Sequence, residues 1–259
     1  MKKSACGMVL AAVMGLAVSA RSDVIINVDF QPGGAGGGTS VTFASQGAVA
    51  SLGNVWNAAA PSTDGAFNGE FGSGGIFDFA GGSMTLASLL DSEGNATSIQ
   101  LELFKGTPDS AFALNPLNGG DFNVANDAKD LMRDFLIATD PNDVNISGLI
   151  DGGLYHLYLY GAGDNSSQQT TFTVGGVSQS TTGVNGSHDL TEGVDYVVYN
   201  NVVASGGFIG INYTVADGAS EGRFNGFQLV QVVPEPSSLL LTGAGYLVLA
   251  VTRRRNKAN

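Results

Sequence analysis

The stretch from Leu154 to Tyr160 constrains the fold more than any other. It reads Leu-Tyr-His-Leu-Tyr-Leu-Tyr. Side chains alternate along a strand, so Tyr155, Leu157 and Leu159 share one face and His156, Tyr158 and Tyr160 share the other. Both faces are bulky, which places the strand inside a sheet rather than at its rim. The turn Asp151-Gly152-Gly153 precedes it, after a strand over Val144–Leu149. The same grammar recurs downstream. Thr171–Val174, Gly175-Gly176 and Val177–Ser180 read as a hairpin with a glycine turn. Tyr196–Tyr199 and Asn201–Ala204 read as neighbouring strands. Phe208–Val215 turns Ile209, Ile211, Tyr213 and Val215 inward, and Phe224–Val232 closes the body.

The first half is sparser in strands. Val24–Phe30 alternates, with Val24, Ile26, Val28 and Phe30 on one face and Asn27 and Asp29 on the other, the pattern of a half-buried strand. Val41–Phe43, Ile76–Phe79, Ser83–Leu86 and Ser98–Phe104 read as further strands, separated by glycine-rich connections such as Pro32–Gly38 and Ala58–Gly75. Asp127–Ala138 has two readings. Ala128, Leu131, Met132 and Phe135 form a helical stripe that Asp127 can cap, while Leu136-Ile137 can begin a strand. A short helix leading into a loop is the favoured one. About ten to twelve short strands in all predict an all-β protein, a two-sheet antiparallel sandwich of jelly-roll type.

The two ends have a different logic. Met1-Lys2-Lys3 is a basic leader, Cys6–Ala20 is apolar or small, and Val18-Ser19-Ala20 fits a small-residue cleavage site. Residues 1–20 are therefore expected to be a signal peptide and 21–233 the β-sandwich domain. Residues 234–259 form a third segment. Pro234-Glu235-Pro236 is stiff and extended, Ser237–Val251 is apolar and uncharged, and Arg253, Arg254 and Arg255 form a basic stop that stays cytoplasmic. The 16 residues Ser237–Thr252 give a helix of roughly 24 Å, short against a hydrocarbon core of about 30 Å. Such a short transmembrane helix suits a handle that is used and then cut.

Pro-Glu-Pro, a Leu/Gly-rich run and a terminal Arg cluster together resemble the PEP-CTERM sorting signal of bacterial exported proteins. The resemblance implies that an exosortase reads the segment. It also implies an inner-membrane intermediate, then residence at the cell surface or in the extracellular matrix of a biofilm. It covers about the last tenth of the chain and reports an address rather than an activity. A second, looser resemblance lies in residues 148–160 and in Gly222-Arg223-Phe224-Asn225-Gly226-Phe227-Gln228-Leu229, which are similar to galactose-binding-like and malectin-like β-sandwiches.

Charge narrows the partners. Residues 21–233 hold five cations, Arg21, Lys105, Lys129, Arg133 and Arg223, against 22 acids, a net of −17. Such a surface repels nucleic acid and anionic lipid headgroups. The chain's one cysteine, Cys6, lies in the leader, so no disulfide or thiol chemistry is expected in the body.

Candidate sites are few. His156 reads as a structural histidine and His188 as a solvated loop residue; no Gly-x-Ser-x-Gly elbow or His-Glu-x-x-His motif is present. A glycosidase needs two converging carboxylates. The nearest pair, Glu192 and Asp195, reads as a turn entering a strand. A non-enzymatic, surface-sorted protein that binds carbohydrate is the reading these residues favour. A secreted polysaccharide hydrolase and a passive surface component are the alternatives. Sugar binding needs an aromatic face with polar neighbours. Candidates are Trp56 with Asn54 and Asn57, and Tyr158 or Tyr160 with Asp164 and Asn165. No cofactor is expected. A structural calcium ion is a possible exception, with Asp121, Asn123 and Asp127, or Asp140, Asn142 and Asp143, as candidate ligands.

Overall fold

The computed structural model describes residues 24–30, 47–49, 53–59, 76–78, 83–104, 111–114, 131–132, 134–138, 141–163, 166–183 and 190–233. Asp23–Val232 form one compact unit. The sorting motif Pro234, Glu235 and Pro236, the basic stop Arg253, Arg254 and Arg255, the leader 1–20, the strand expected over Val41–Phe43 and the candidate ligands Asp121, Asn123 and Asp127 lie outside the described residues.

The body is all-β. Its strands are β1 (Ile25–Phe30), β2 (Asn57–Ala59), β3 (Ile76–Asp78), β4 (Ser83–Leu86), β5 (Gln100–Phe104), β6 (Ala111–Leu114), β7 (Asp134–Ala138) and β8 (Asn142–Ser147). The second half adds β9 (Leu154–Tyr160), β10 (Thr170–Val174), β11 (Val177–Ser180), β12 (Tyr196–Val203), β13 (Ile209–Val215), β14 (Gly222–Phe224) and β15 (Gly226–Gln231). They form a five-stranded sheet in the order β12-β9-β15-β1-β2 and a six-stranded sheet in the order β11-β10-β13-β8-β5-β4. A four-stranded sheet, β14-β7-β6-β3, completes them. All pairings are antiparallel except that of β1 with β2.

The sandwich follows from alternation. Register aligns Val197, Leu159, Phe227 and Val28 in one row across the five-stranded sheet, and Tyr199, Leu157, Leu229 and Ile26 in the next. The six-stranded sheet answers with Val174, Ile211, Val144 and Leu103, and with Ile209, Ile146 and Leu101. All of these side chains are buried in one continuous core. Each fully buried aliphatic or phenyl side chain stabilises by about 1.5–3 kcal/mol over exposure.

The β9 strand spans the residues expected of it and lies between β12 and β15, so its two bulky faces are explained. Five findings depart from expectation. The third sheet is one. Leu131 and Met132 are helical, residues 127–130 and 133 lie outside the described residues, and Asp134–Ala138 is strand β7 where a loop was expected to follow the helix. The cause is tertiary: β7 pairs with both β6 and β14, which tie its backbone amides in a ladder that outweighs the helical stripe. Tyr196–Val203 is one strand rather than two, because a register shift between Tyr199 and Val202, with Asn201 at φ 56°, absorbs the break. Phe224–Val232 is two strands, because Asn225 carries the chain from the four-stranded sheet into the five-stranded one. Finally, Asn27 and Asp29 are fully buried, so β1 is covered on both faces.

Candidate functional site

The cover over β1 comes from residues 47–49 and 53–56, and a polar relay fixes it. Gln228 of β15 lies beside Tyr158 on one side and Asn27 on the other. Its Oε1 accepts from the Tyr160 hydroxyl at 2.5 Å and from Val49 N at 3.0 Å. Its Nε2 donates to Asn27 Oδ1 at 2.9 Å and Val49 O at 3.1 Å. Asn27 Nδ2 donates to Val55 O at 3.0 Å, and the Tyr160 oxygen accepts from Ala48 N at 2.7 Å. Every polar atom of the Gln228 amide is used, which burial demands.

An aromatic row runs outward from this cover. Trp56 and Tyr160 have ring centroids 6.4 Å apart, Tyr160 and Tyr196 5.7 Å, and Tyr196 and Tyr158 6.3 Å. The inner half is sealed: Trp56 is 6% exposed and Tyr160 is fully buried in a second apolar cluster with Leu131, Met132 and Ala162. The outer half is open. Tyr158 and Tyr196 are half-buried on the outer face of β9 and β12, with Val198 beside Tyr158 and Tyr196 beside Tyr160.

Glu192 completes the shelf. It is exposed, it bridges to Tyr196 through the turn 193–195, and its charge reaches both open rings. Burial first, and then the Glu192 carboxylate, push both hydroxyls above the ordinary tyrosine range, so they are protonated donors at neutral pH. His156 shares this face two residues from Tyr158. Its Nδ1 accepts from Asn201 N at 3.3 Å and so props the β12 bulge. Two half-open rings flanked by a carboxylate can stack on an apolar ligand face while hydrogen-bonding to hydroxyls.

The expected residues fall as follows. Trp56 is a packing residue beneath the row rather than an open platform. Asn57 is committed to structure: Nδ2 donates to Asn27 O at 2.9 Å and Leu90 O at 2.8 Å, and Oδ1 accepts from Leu90 N at 2.8 Å. Asn54 is exposed. Tyr158 keeps an open face; Tyr160 does not; Asp164 and Asn165 lie outside the described residues. Of the second candidate set, Asp140 lies outside the described residues, and Asn142 and Asp143 point to opposite faces. They are consecutive in β8, so one is buried and the other points out to accept from Asn212 at 3.0 Å. Among the described residues no group of three or more His, Cys, Asp or Glu side chains could hold a metal, and no helix is long and apolar enough to cross a membrane. Sequence reasoning missed Tyr196 and Glu192 as partners of Tyr158. The β9–β12 register brings Tyr196 to the tyrosines of β9, and the local turn 193–195 brings Glu192 to Tyr196.

No family model matches the chain, and no curated protein matches it. Solved structures with some likeness include the CBM36-1 domain of a multidomain xylanase from the hindgut metagenome of Trinervitermes trinervoides. It is 14% identical with a TM-score of 0.28, over 38% of this chain and 78% of that one. TmCBM61 in complex with beta-1,4-galactotriose is 12% identical with a TM-score of 0.31, over 51% of this chain and 88% of that one. The ANXUR1 extracellular domain from Arabidopsis thaliana is 11% identical with a TM-score of 0.37, over 59% of this chain and 54% of that one. At these scores the likeness carries neither a family nor a ligand over to this chain.

Proposed function

We propose that this protein is exported, sorted to the cell surface and acts by binding rather than catalysis, holding neutral polysaccharide of the extracellular matrix at Tyr158 and Tyr196. The open half of the aromatic row carries the reading. A pyranose ring has an apolar face that stacks on tyrosine and equatorial hydroxyls that reach a carboxylate. Glu192, exposed beside Tyr196, supplies that acceptor in this reading. The body's charge of −17 disfavours uronate-rich or sulfated glycans, so the ligand class is neutral. Two half-open rings support weak affinity per site, about millimolar, or about 4 kcal/mol. Avidity along a polymer would compensate.

The address rests on the ends of the sequence. Residues 1–20 direct export, and an exosortase reads Pro234, Glu235 and Pro236 while Ser237–Thr252 sits in the inner membrane and Arg253, Arg254 and Arg255 stay cytoplasmic. Mass spectrometry of protein from envelope and medium checks this: a product ending near Pro236 supports it, and an intact basic tail in the membrane fraction contradicts it. For the site, protein with 13C-labelled tyrosine rings is titrated with neutral oligosaccharides. Shifts confined to Tyr158 and Tyr196 support the reading. No shift with any neutral glycan, or shifts only elsewhere, contradicts it.

A further inference from the structure

Among the described residues, six large apolar side chains are exposed: Leu90, Ile150, Leu154, Val177, Val203 and Phe208. Single exposed apolar residues are ordinary, but these are not scattered. Five of the six sit at one pole of the sandwich. Leu154 pairs with Val203 at the ends of β9 and β12. Ile150 and Phe208 lie on the two connections 148–153 and 204–208. Leu149 N to Gly207 O at 3.1 Å, Gly152 N to Ala204 O at 2.8 Å and Gly206 N to Asp151 Oδ1 at 2.7 Å lace those connections together. Val177 belongs to the same end, because Val177 pairs with Val174 and Val174 with Ile211, beside the start of β13. Their exposures run from 37% for Leu154 to 58% for Val177, so all stand clear of the core.

The same pole is where the chain enters and leaves the fold. Gln231 N donates to Val24 O at 2.9 Å and Val232 N to Leu154 O at 2.8 Å. Four residues, Val233 to Pro236, then separate Val232 from the apolar run that begins at Ser237. Fully extended they reach about 14 Å. Once that run is in a bilayer, this pole cannot lie far from the membrane surface, whereas Tyr158 lies four residues further along β9, about 13 Å away, and Tyr196 of β12 lies opposite Tyr160, about 20 Å away.

We propose that the pole carrying Ile150, Leu154, Val177, Val203 and Phe208 rests on the outer surface of the lipid bilayer while the chain is anchored, leaving the Tyr158–Tyr196 shelf turned away from it. The proposal rests on the reading of residues 237–252 as a membrane segment. The surface suited to it is zwitterionic. The acidic body disfavours anionic headgroups, and Asp151 adds a negative charge at the pole itself. Docking fixes the orientation of the sandwich, so the glycan shelf faces outward for as long as the anchor persists.

The test uses the full chain in phosphatidylcholine vesicles. In a Cys6→Ser background, an environment-sensitive fluorophore is placed at Val203→Cys, at the pole, or at Thr182→Cys, which is exposed and bonded to Gly193 at the opposite end. Flotation of the vesicles reports anchoring. Nitroxide lipids labelled near the headgroup report proximity. Flotation with strong quenching at position 203 and little at 182 is the expected result. Flotation with equal or no quenching at the two positions overturns the docking while leaving the anchor reading intact. Failure to float overturns both. Protection of position 203 that grows with protein concentration and ignores nitroxide lipid assigns the pole to a second copy and overturns the lipid proposal. A variant with Val203 and Phe208 both changed to Ser, on exposed positions, should float unchanged and lose at least half of the difference in quenching, read from a label at Val177→Cys.

Discussion

The Tyr160 hydroxyl of β9 and the Gln228 amide of β15 meet at 2.5 Å, between neighbouring strands, on the face of the sheet that alternation would leave to solvent. That contact anchors the cover segment, buries Asn27 and half of the aromatic row, and so determines which tyrosines remain open for a ligand. The Tyr160 oxygen also accepts from Ala48 N, so removing it strands a backbone donor as well as Gln228. Tyr160→Phe should lower stability by about 1–3 kcal/mol, because buried polar groups are left unsatisfied. Gln228→Leu should cost more, since Val49, Asn27 and Tyr160 all lose a partner. Urea unfolding midpoints give the order wild type, Tyr160→Phe, Gln228→Leu.

Asn225 predicts a second weak point. It is fully buried where the chain changes sheets, its Oδ1 accepts from Ala162 N at 3.0 Å, and its Nδ2 donates to Met132 O at 3.1 Å. Asn225→Ala should cost about 2–4 kcal/mol, more than one ordinary hydrogen bond, because two buried backbone groups lose their partner. Asn225→Asp keeps the acceptor but loses the donor and buries a charge, so it should not rescue. Thermal unfolding of the two variants side by side checks this.

Two glycines separate strain from collision. Gly148 and Gly152 have φ of 74° and 71°, both in the left-handed region. A Cβ at Gly152 meets nothing within 4 Å, whereas one at Gly148 would run into the Ser98 carbonyl. Gly152→Ala should therefore cost about 1 kcal/mol from backbone strain alone. Gly148→Ala should cost clearly more, as the backbone must move.

High pH should unfold the body through its tyrosines. Burial pushes Tyr160 and Tyr213 far above the ordinary value, and Tyr199 up to about 12. Each is neutral when protonated, and the unfolded chain releases its proton near pH 10. The stability these protonated groups carry is complete below about pH 10 and is lost as pH rises towards the folded values. Unfolding midpoints should be flat from neutrality to about pH 9.5 and fall above it, with ionisation absorbance at 295 nm rising together with unfolding. A gradual ionisation of all seven tyrosines well before unfolding would contradict the burial.

How much of this was legible follows from the range of each interaction. Leu154–Tyr160 and Val177–Ser180 read correctly because their patterns are local: alternation with two bulky faces, and a Gly-Gly turn whose φ values of 57° and 80° only glycine adopts freely. Asn27 and Asp29 misled because a polar residue on alternate positions implies water only if nothing covers it. The cover begins about 20 residues away and is held by Gln228, about 200 residues along the chain. Asp134–Ala138 misled because its helical stripe is local and its ladder partners are not. The closing stretch Gly222–Leu229 carries the looser of the two resemblances. Its residues turn out to be structural hubs: Arg223 lies 4.1 Å over the Phe135 ring and bonds Glu221, Asn225 bridges sheets, Gly226 leaves no room against Val28 O, and Gln228 holds the cover. The candidate shelf differs from the Trp56, Asn54 and Asn57 set that the sequence favours. Tyr158 is one of two tyrosine candidates, both favoured as core packing; Tyr196 joins it through the β9–β12 register and Glu192 through the turn before β12.

The claim that this protein holds neutral polysaccharide at the open end of its aromatic row is met most directly by affinity electrophoresis in gels containing neutral polysaccharides. Wild-type protein is run beside Tyr158→Ala, Tyr196→Ala and Glu192→Gln, each with its melting temperature measured. The account predicts retardation of the wild type by at least one neutral polymer, its loss in both alanine variants and its weakening in Glu192→Gln, with melting temperatures little changed for Glu192→Gln. Equal retardation of all four proteins, or retardation only in anionic polymers, would contradict it.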